Sequence, residues 1–468
     1  MVVRKTVKWF DERIGASGFA HETLNKVFPD HWTFLFGEIA LYAFIVLVAT
    51  GIFLAMFFNP SLADKVYHGA YAPLRGVKMS AAYASALDLS FSVRAGLVMR
   101  QTHHWAANVF IAAIVVHLCR IFFTGAFRKP REINWWVGLT LLLLALFNGF
   151  TGYSLLDDLL SGTGLRIAYS IALSIPFIGT WMAFLLFGGE FPSDQIISRM
   201  FFAHVFIVPL LIFGLVGVHL ALIWRQKHTQ YPGNGRTDRN VHGLRFWPSY
   251  ATESLGLFFG VAAVLTLLGG LAQINPIWLY GPFRAANVTG PAQPDWYIGW
   301  LEGALRIFPA WEIRIGGFVI PNPFYPAVLM PGITFGLLYA WPFLERRFTG
   351  DYAAHHLLEQ PHHRPVRTAF GVAALTFYFV LFLGGSNDLM AKVFSVPVEL
   401  ITWVLRIAVI VAPIVTGFVA YWLLNAYKLS GAEKFTKVPW VYFVHPRKAP
   451  MPRSRTAPHP PAPETPPA

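Results

Sequence analysis

The sequence predicts an all-α polytopic membrane protein, and three observations carry that reading. Of 468 residues, 55% are apolar and only 13% are charged, against about 25% charged in soluble globular domains. The mean hydropathy is +0.49, and the apolar residues gather into eight stretches of about 20 residues, the length that crosses a bilayer. Lys and Arg outnumber Asp and Glu by 37 to 24. They lie in the short loops between the stretches, which orients an inner-membrane protein and leaves no patch for nucleic acid.

The spans are expected near 34–58, 103–126, 134–156, 199–225, 250–273, 323–344, 367–385 and 399–426, here helices A to H. The start, MVVRKTVKWFDERIGASGFAH, lacks the apolar core of a signal peptide, so 1–33 is expected to be a cytoplasmic segment. The greater part of the basic residues falls in the B–C, D–E and F–G loops and the termini. That bias places both termini of this multi-pass chain in the cytoplasm. The opposite loops, 59–100, 157–198 and 274–322, are long, as suits a binding face. The stretch IALSIPFIGTWMAFLLFGG in the second is amphipathic and too interrupted to span. The segment 428–468 is Pro-rich and expected to be a disordered cytoplasmic tail.

Cys119 is the single cysteine. A disulfide framework, a Cys-ligated zinc and an iron–sulfur cluster each need more. No C-x-x-C-H run is present, so no c-type haem is attached to this chain. Histidines carry the chemistry instead. His103 and His117 lie fourteen positions apart on helix B, and His204 and His219 fifteen apart on helix D. Fourteen helical steps leave two side chains about 40° apart and fifteen about 60° apart, with a separation of roughly 21–23 Å along the axis. Each pair therefore shares a face, and helices B and D run in the same direction. His103 is level with His204 on the outer side, and His117 with His219 on the inner side. Two bis-histidine sites stacked across a membrane are haem b ligation, and 34–226 is expected to form a di-haem four-helix bundle. Lone intramembrane histidines more often relay protons or bond neighbouring helices, but that reading does not account for matched levels.

The glycines keep the same register. Gly37 and Gly51 on helix A, and Gly138 and Gly152 on helix C, are again fourteen positions apart. Glycine lets a backbone approach a flat macrocycle, though small residues also serve helix packing. Arg100 and Arg120 lie one turn from His103 and His117, placed to pair with haem propionates or to act as ordinary flanking charge. The clusters His355/His356 and His362/His363 lack the spacing of a metal site and are expected to be solvated.

The spans THHWAANVFIAAIVVHLCR and FFAHVFIVPLLIFGLVGVHL resemble those of cytochrome b, the core of quinol–cytochrome c reductase (cytochrome bc) complexes. PDWY, Pro294 to Tyr297, resembles that family's PEWY signature, and GYSLLDDLLSGTG with SIPFIGT its C–D loop. The resemblance covers about residues 20–430. The fifteen-step spacing on helix D, eight helices in one chain, and the runs IWRQKHTQYPGNGRTDRN, LGGLAQINPIW and FLERRFTGDYAAHHLL resemble the actinobacterial type.

The resemblance implies two haem b groups and two quinone sites. Quinol is oxidised outside, between the C–D loop of the 34–226 unit and the PDWY loop of the 227–427 domain that carries helices E–H. Asp295 is then the proton acceptor where the family usually has Glu, with Tyr297 and Tyr153 orienting ring oxygens or water. Pro294, Trp296 and Gly164 fall on positions that line the quinone. Taken without the family, Asp295 reads as a capping acid after Pro294. Leu156 and Asp157 replace the family's PW, and Asp157 with Asp158 adds external acid. At the inner site the aligned positions are Trp224, Glu253 and Ser254, unlike the mitochondrial pattern. Glu253 is the proton donor by chemistry, or a helix N-terminal acid by its dipole. The implied quinone is menaquinone. The implied partners are a Rieske iron–sulfur subunit, a c-type cytochrome, a second copy of the complex, and a terminal cytochrome c oxidase in a supercomplex. A ferric reductase or NADPH oxidase spaces histidines similarly but needs a nucleotide-binding domain that no segment here supplies. A histidine proton-relay transporter, which binds no haem, and a structural haem anchor, which binds no quinone, remain the other readings.

Overall fold

The computed structural model describes residues 15–287 and 293–429, together with 6, 8, 9 and 11–13. From residue 430 onward the expected tail lies outside the described residues. Among the described residues, eight helices are long and apolar enough to cross a membrane. They are A Trp32–Ala55, B Gly96–Phe123, C Glu132–Ser154, D Ile196–Gln226, E Phe246–Leu271, F Tyr325–Thr349, G Pro365–Gly385 and H Val398–Leu429. The fold is the expected all-helical one, with three two-stranded antiparallel pairs in the described loops and N-terminal segment.

Two boundaries differ most from expectation, both for the same reason. Helix B starts at Gly96, well before 103, because Arg100, Gln101 and Thr102 lower the local hydropathy while lying buried. The Gln101 amide explains how. Its Nε2 donates to the Ile274 carbonyl at 2.8 Å and its Oε1 accepts from the Ile274 N–H at 2.9 Å. Burial of a polar group is tolerated when its bonds are made. Helix F runs on through Glu345, Arg346 and Arg347 to Thr349, and Arg367 donates to Glu345 at 2.7 Å.

The bundle closes around small residues. Ala43 on helix A and Ala106 on helix B are fully buried, with Ile111, Ile212 and Leu265 beside them. Small side chains let membrane helices approach closely. Helix E packs on both A and B. Helix H turns Ile407, Ile410, Ile414 and Phe418 outward, an apolar surface suited to lipid.

The loops sort into two faces. On one, the N-terminal strand Val27–Phe28 pairs with Leu244–Arg245 of the D–E loop. There Arg128 of the B–C loop meets Glu359 of the F–G loop at 3.0 Å, and Arg131 donates to the His355 carbonyl at 2.7 Å. On the other, Asp158 of the C–D loop bridges to Pro282 of the E–F loop. Tyr83 of the A–B loop donates to the Ile277 carbonyl at 3.1 Å. The interrupted C–D stretch, 171–189, takes in the end of the helix Leu159–Leu173 and the whole of the short helix Gly179–Phe187.

Candidate haem and quinone sites

Helices B and D bring the four histidines together in two pairs. The rings of His103 and His204 have centroids 6.1 Å apart and planes at 72°, and those of His117 and His219 are 6.4 Å apart at 70°. Two imidazoles sharing one metal at about 2.0–2.1 Å per nitrogen place their ring centroids about 6.3 Å apart. Each gap therefore has the width of one metal ion, at both levels.

A local feature of helix D reconciles the unequal spacings. A π turn covers Ala203–Ile207. Pro209, which has no N–H to return to the Val205 carbonyl, follows it. A π turn takes up one extra position, so fifteen steps on helix D span what fourteen span on helix B. The wider angular offset expected of a regular helix is thereby drawn back toward that of its partner.

Each predicted glycine backs onto one histidine. An added Cβ at Gly37 would lie 3.1 Å from His117 Cε1, at Gly51 3.2 Å from His103 Cε1, and at Gly138 3.7 Å from His219 Cε1. At Gly152 it would overlap the His204 ring. Helix A thus cradles the helix B histidines and helix C those of helix D. At the outer level the Nδ1 atoms are held. His103 Nδ1 is 2.9 Å from Thr50 Oγ1, and His204 Nδ1 is 2.9 Å from the Asn148 carbonyl. Such bonds fix the ring and leave Nε2 free to ligate.

Arg100 and Arg120 are buried with Nε and Nη2 unpartnered within the protein. The Arg100 guanidinium makes one long bond, to the Asn275 carbonyl at 3.4 Å, and Arg120 lies over the Phe34 ring at 4.2 Å. Buried cations are paired or very costly. The unpartnered Nε and Nη2 atoms of the two guanidinium groups fit the carboxylates of a bound group at each level.

The PDWY loop comes over the outer level. Asp295 precedes the helix Trp296–Ile307 but makes no side-chain cap there, so its carboxylate is spent elsewhere. It meets His104 Nε2 at 2.8 and 2.9 Å through its two oxygens, and Tyr297 donates its hydroxyl to Oδ2 at 2.8 Å. Burial first, then the Asp295 charge and hydrogen bond, push the Tyr297 phenol well above its ordinary range. Tyr297 packs over Gly149. Tyr153 donates to the Leu160 carbonyl at 3.1 Å, and Gly164 lies against its hydroxyl. Pro294 is half-buried and Trp296 exposed. The sequence carries no signal for His104, since its partner is 191 residues away.

The external acids are buried rather than solvated. Asp158 caps the helix Leu159–Leu173 through Ser161 N at 2.7 Å. Burial raises its carboxyl to about 6, opposed by the Ser161 bonds and Arg100. Burial likewise raises Asp157 to about 7, opposed by Ser80 and assisted by Asp158. A carboxyl raised on folding favours the native state below its unfolded value, and that contribution is lost as pH rises through about 6–7. Asp157→Asn is accordingly expected to raise the melting temperature by a few degrees at pH 8 and to leave it unchanged at pH 4. A thermal scan at both values checks this.

At the inner face Trp224 and Ser254 are linked through Phe28, Tyr250 and Glu38. Trp224 lies beneath the Lys26 ammonium at 4.1 Å and beside Phe28 at 5.9 Å. Phe28 stacks on Tyr250 at 4.3 Å and contacts His228 at 4.6 Å. Burial, reinforced by Lys26, Arg131 and Arg120, holds His228 down to about 4, so its ring is neutral. Ser254 bonds Glu38 at 2.7 Å and Tyr42 more closely still, and Tyr250 donates to Glu38 at 2.6 Å. Glu253 sits exposed on helix E. The acid at the centre of this cluster is Glu38, which its place beside Gly37 could have flagged. His355 faces the Asp351 carboxylate at 2.9 Å, and His356 Nδ1 accepts from Arg131 Nη2 at 2.8 Å. Among the described residues no group of three or more His, Cys, Asp or Glu is placed to hold a metal.

Residues 108–282 match the family described as "Cytochrome b(N-terminal)/b6/petB". The chain is 53% identical over 421 residues to the cytochrome bc1 complex cytochrome b subunit of Mycobacterium tuberculosis, covering 90% of this chain and 76% of that one. It is 52% identical over 411 residues to that of Corynebacterium diphtheriae, covering 88% and 76%. With the subunit of Streptomyces coelicolor it shares 48% over 417 residues, covering 89% and 76%. Among solved structures, a chain of a hyperthermophilic respiratory Complex III has the same fold. Its TM-score is 0.64 at 20% identity, covering 89% of this chain and 99% of that one. Taken with eight spans and paired histidines, these relationships show that the chain belongs to the cytochrome b subunits of the cytochrome bc1 complex, the quinol–cytochrome c reductase of respiratory electron transfer.

Proposed function

We propose that this chain holds two b haems, through His103 and His204 at the outer level and His117 and His219 at the inner level. One observation carries the reading: two ring pairs at 6.1 and 6.4 Å, each the width of one metal. Bound there, the haems supply one-electron transfer across the bilayer. The chain's own residues do the rest. Gly37, Gly51, Gly138 and Gly152 give the four imidazoles room, and Arg100 and Arg120 neutralise propionate charge.

Menaquinol is the proposed substrate, oxidised at the outer site beneath Pro294–Tyr297, with Trp296 and Gly164 at its walls. A quinol that gives up two electrons must also give up two protons, and Asp295 is the acceptor for one. Tyr297 and Tyr153 orient the ring oxygens. One electron leaves to a Rieske iron–sulfur subunit and on to a c-type cytochrome. The other crosses within this chain to a quinone at the inner site near Trp224, Glu253 and Ser254. Release of protons outside and uptake inside builds the gradient. Segment 34–226 is the haem-bearing half and 227–427 supplies the PDWY loop, in a homodimeric complex in the plasma membrane. Both termini are cytoplasmic, and a terminal cytochrome c oxidase is a further partner in a supercomplex.

The test is turnover of the assembled complex with a reduced naphthoquinol and its c-type acceptor. Asp295→Asn keeps shape and removes the acceptor, and is expected to lower kcat by about 10²–10⁴, the range of general base catalysis. Unchanged turnover would overturn the role of Asp295.

A further inference from the structure

We propose that His104 is a positioning residue for quinol oxidation, holding the Asp295 carboxylate in place from helix B. This rests on the reading of Asp295 as the proton acceptor. The contact is built into the fold. Asp295 stands at the N-cap of the helix Trp296–Ile307, yet its side chain makes no cap bond there. Both of its oxygens face one imidazole nitrogen, at 2.8 and 2.9 Å. The side chains of His104 and Asp295 are only 14% and 16% exposed.

The roles of the atoms follow from the partners. An ionised carboxylate only accepts, so Nε2 of His104 carries the hydrogen, and a neutral ring suffices. A carboxylate has about four acceptor directions. Nε2 of His104 faces both oxygens and the Tyr297 hydroxyl takes a third direction. That leaves one direction for a substrate hydroxyl. Asp reaches one methylene less far than the Glu found in PEWY, so its carboxylate cannot search for a partner. A donor fixed on helix B sets its orientation instead. Because His104 follows His103 directly, the acceptor is tied to helix B, which carries one histidine of the outer pair.

The experiment uses the complete complex in native membranes, with His104→Leu, His104→Gln, His104→Asn, Asp295→Asn and the His104→Leu/Asp295→Asn double variant. Reduced-minus-oxidised spectra report both b haems, and initial rates with a reduced naphthoquinol separate kcat from KM. Misplacing an acceptor by about an ångström costs up to about 10²-fold in rate. His104→Leu is expected to lose at least about tenfold in kcat with little change in KM. Gln, whose amide nitrogen reaches the Nε2 position, is expected to keep at least about a third of the rate, whereas Asn, which falls short, should not. The double variant is expected to be no slower than Asp295→Asn alone, because the two residues act as a unit. Normal kcat in His104→Leu beside an impaired Asp295→Asn overturns the positioning role and leaves Asp295 standing. Normal kcat in Asp295→Asn overturns the outer-site reading itself. If Leu loses a haem, Gln and Asn decide: equal rates in those two overturn the proposal.

Discussion

Replacing His117 by Leu is expected to leave one b haem per chain where the native protein carries two, with the surviving haem at the outer level. The two levels are roughly 21 Å apart along helix B, so removal of one ligand does not reach the other pair. Leu has no donor for iron and fills a comparable volume. Nor is misfolding the expected outcome. His117 Nδ1 has no hydrogen-bond partner in the protein, so its loss strands no other buried group, and that stranding is the costly part of losing a buried polar side chain. Quinol-dependent reduction of the inner quinone should vanish with the haem. Pyridine haemochrome quantitation against protein, with the reduced-minus-oxidised spectrum, measures this. Two haems retained in His117→Leu would remove the inner-level assignment and return the buried histidines to a proton-relay role.

What could be read from the chain follows from periodicity. The rise and turn of a helix are fixed, so the spacings of four histidines and four glycines declare common faces by themselves. The folded contacts agree, with Gly37, Gly51, Gly138 and Gly152 each against one of those histidines. Hydropathy marked all eight spans because lipid-facing helices are apolar all round. It placed the start of helix B too late because Arg100, Gln101 and Thr102 are polar and buried at once, a combination that composition cannot anticipate. Contacts across long separations were also silent. His104 meets Asp295 and Glu38 meets Ser254 only because loops and helices far apart in sequence converge. The π turn at Ala203–Ile207 is a subtler case. The longer spacing on helix D reflects it, but the wide turn itself is a backbone event with Pro209 as its single sequence trace.

The glycines allow a graded prediction that separates packing from ligation. Gly152 and Gly138 occupy equivalent places on helix C, one beside each helix D histidine, yet they differ in the space left. An added Cβ at Gly138 would stand 3.7 Å from His219 Cε1, an ordinary contact, whereas at Gly152 it would overlap the His204 ring. That ring cannot simply turn aside, because its Nδ1 is bonded to the Asn148 carbonyl at 2.9 Å. Gly152→Ala must therefore push helix C away or break that bond and rotate the imidazole. Either movement changes the 6.1 Å spacing of the His204 and His103 rings. Gly152→Ala is expected to lose the outer haem from most chains, while Gly138→Ala keeps both. Gly37→Ala and Gly51→Ala, at 3.1 and 3.2 Å from their histidines, should fall between, with haems retained but spectra broadened or shifted. If the glycines served only helix–helix packing, all four variants would lower thermal stability and leave haem content alone. The same haemochrome assay therefore decides between a backbone shaped for its histidines and one shaped merely for close packing.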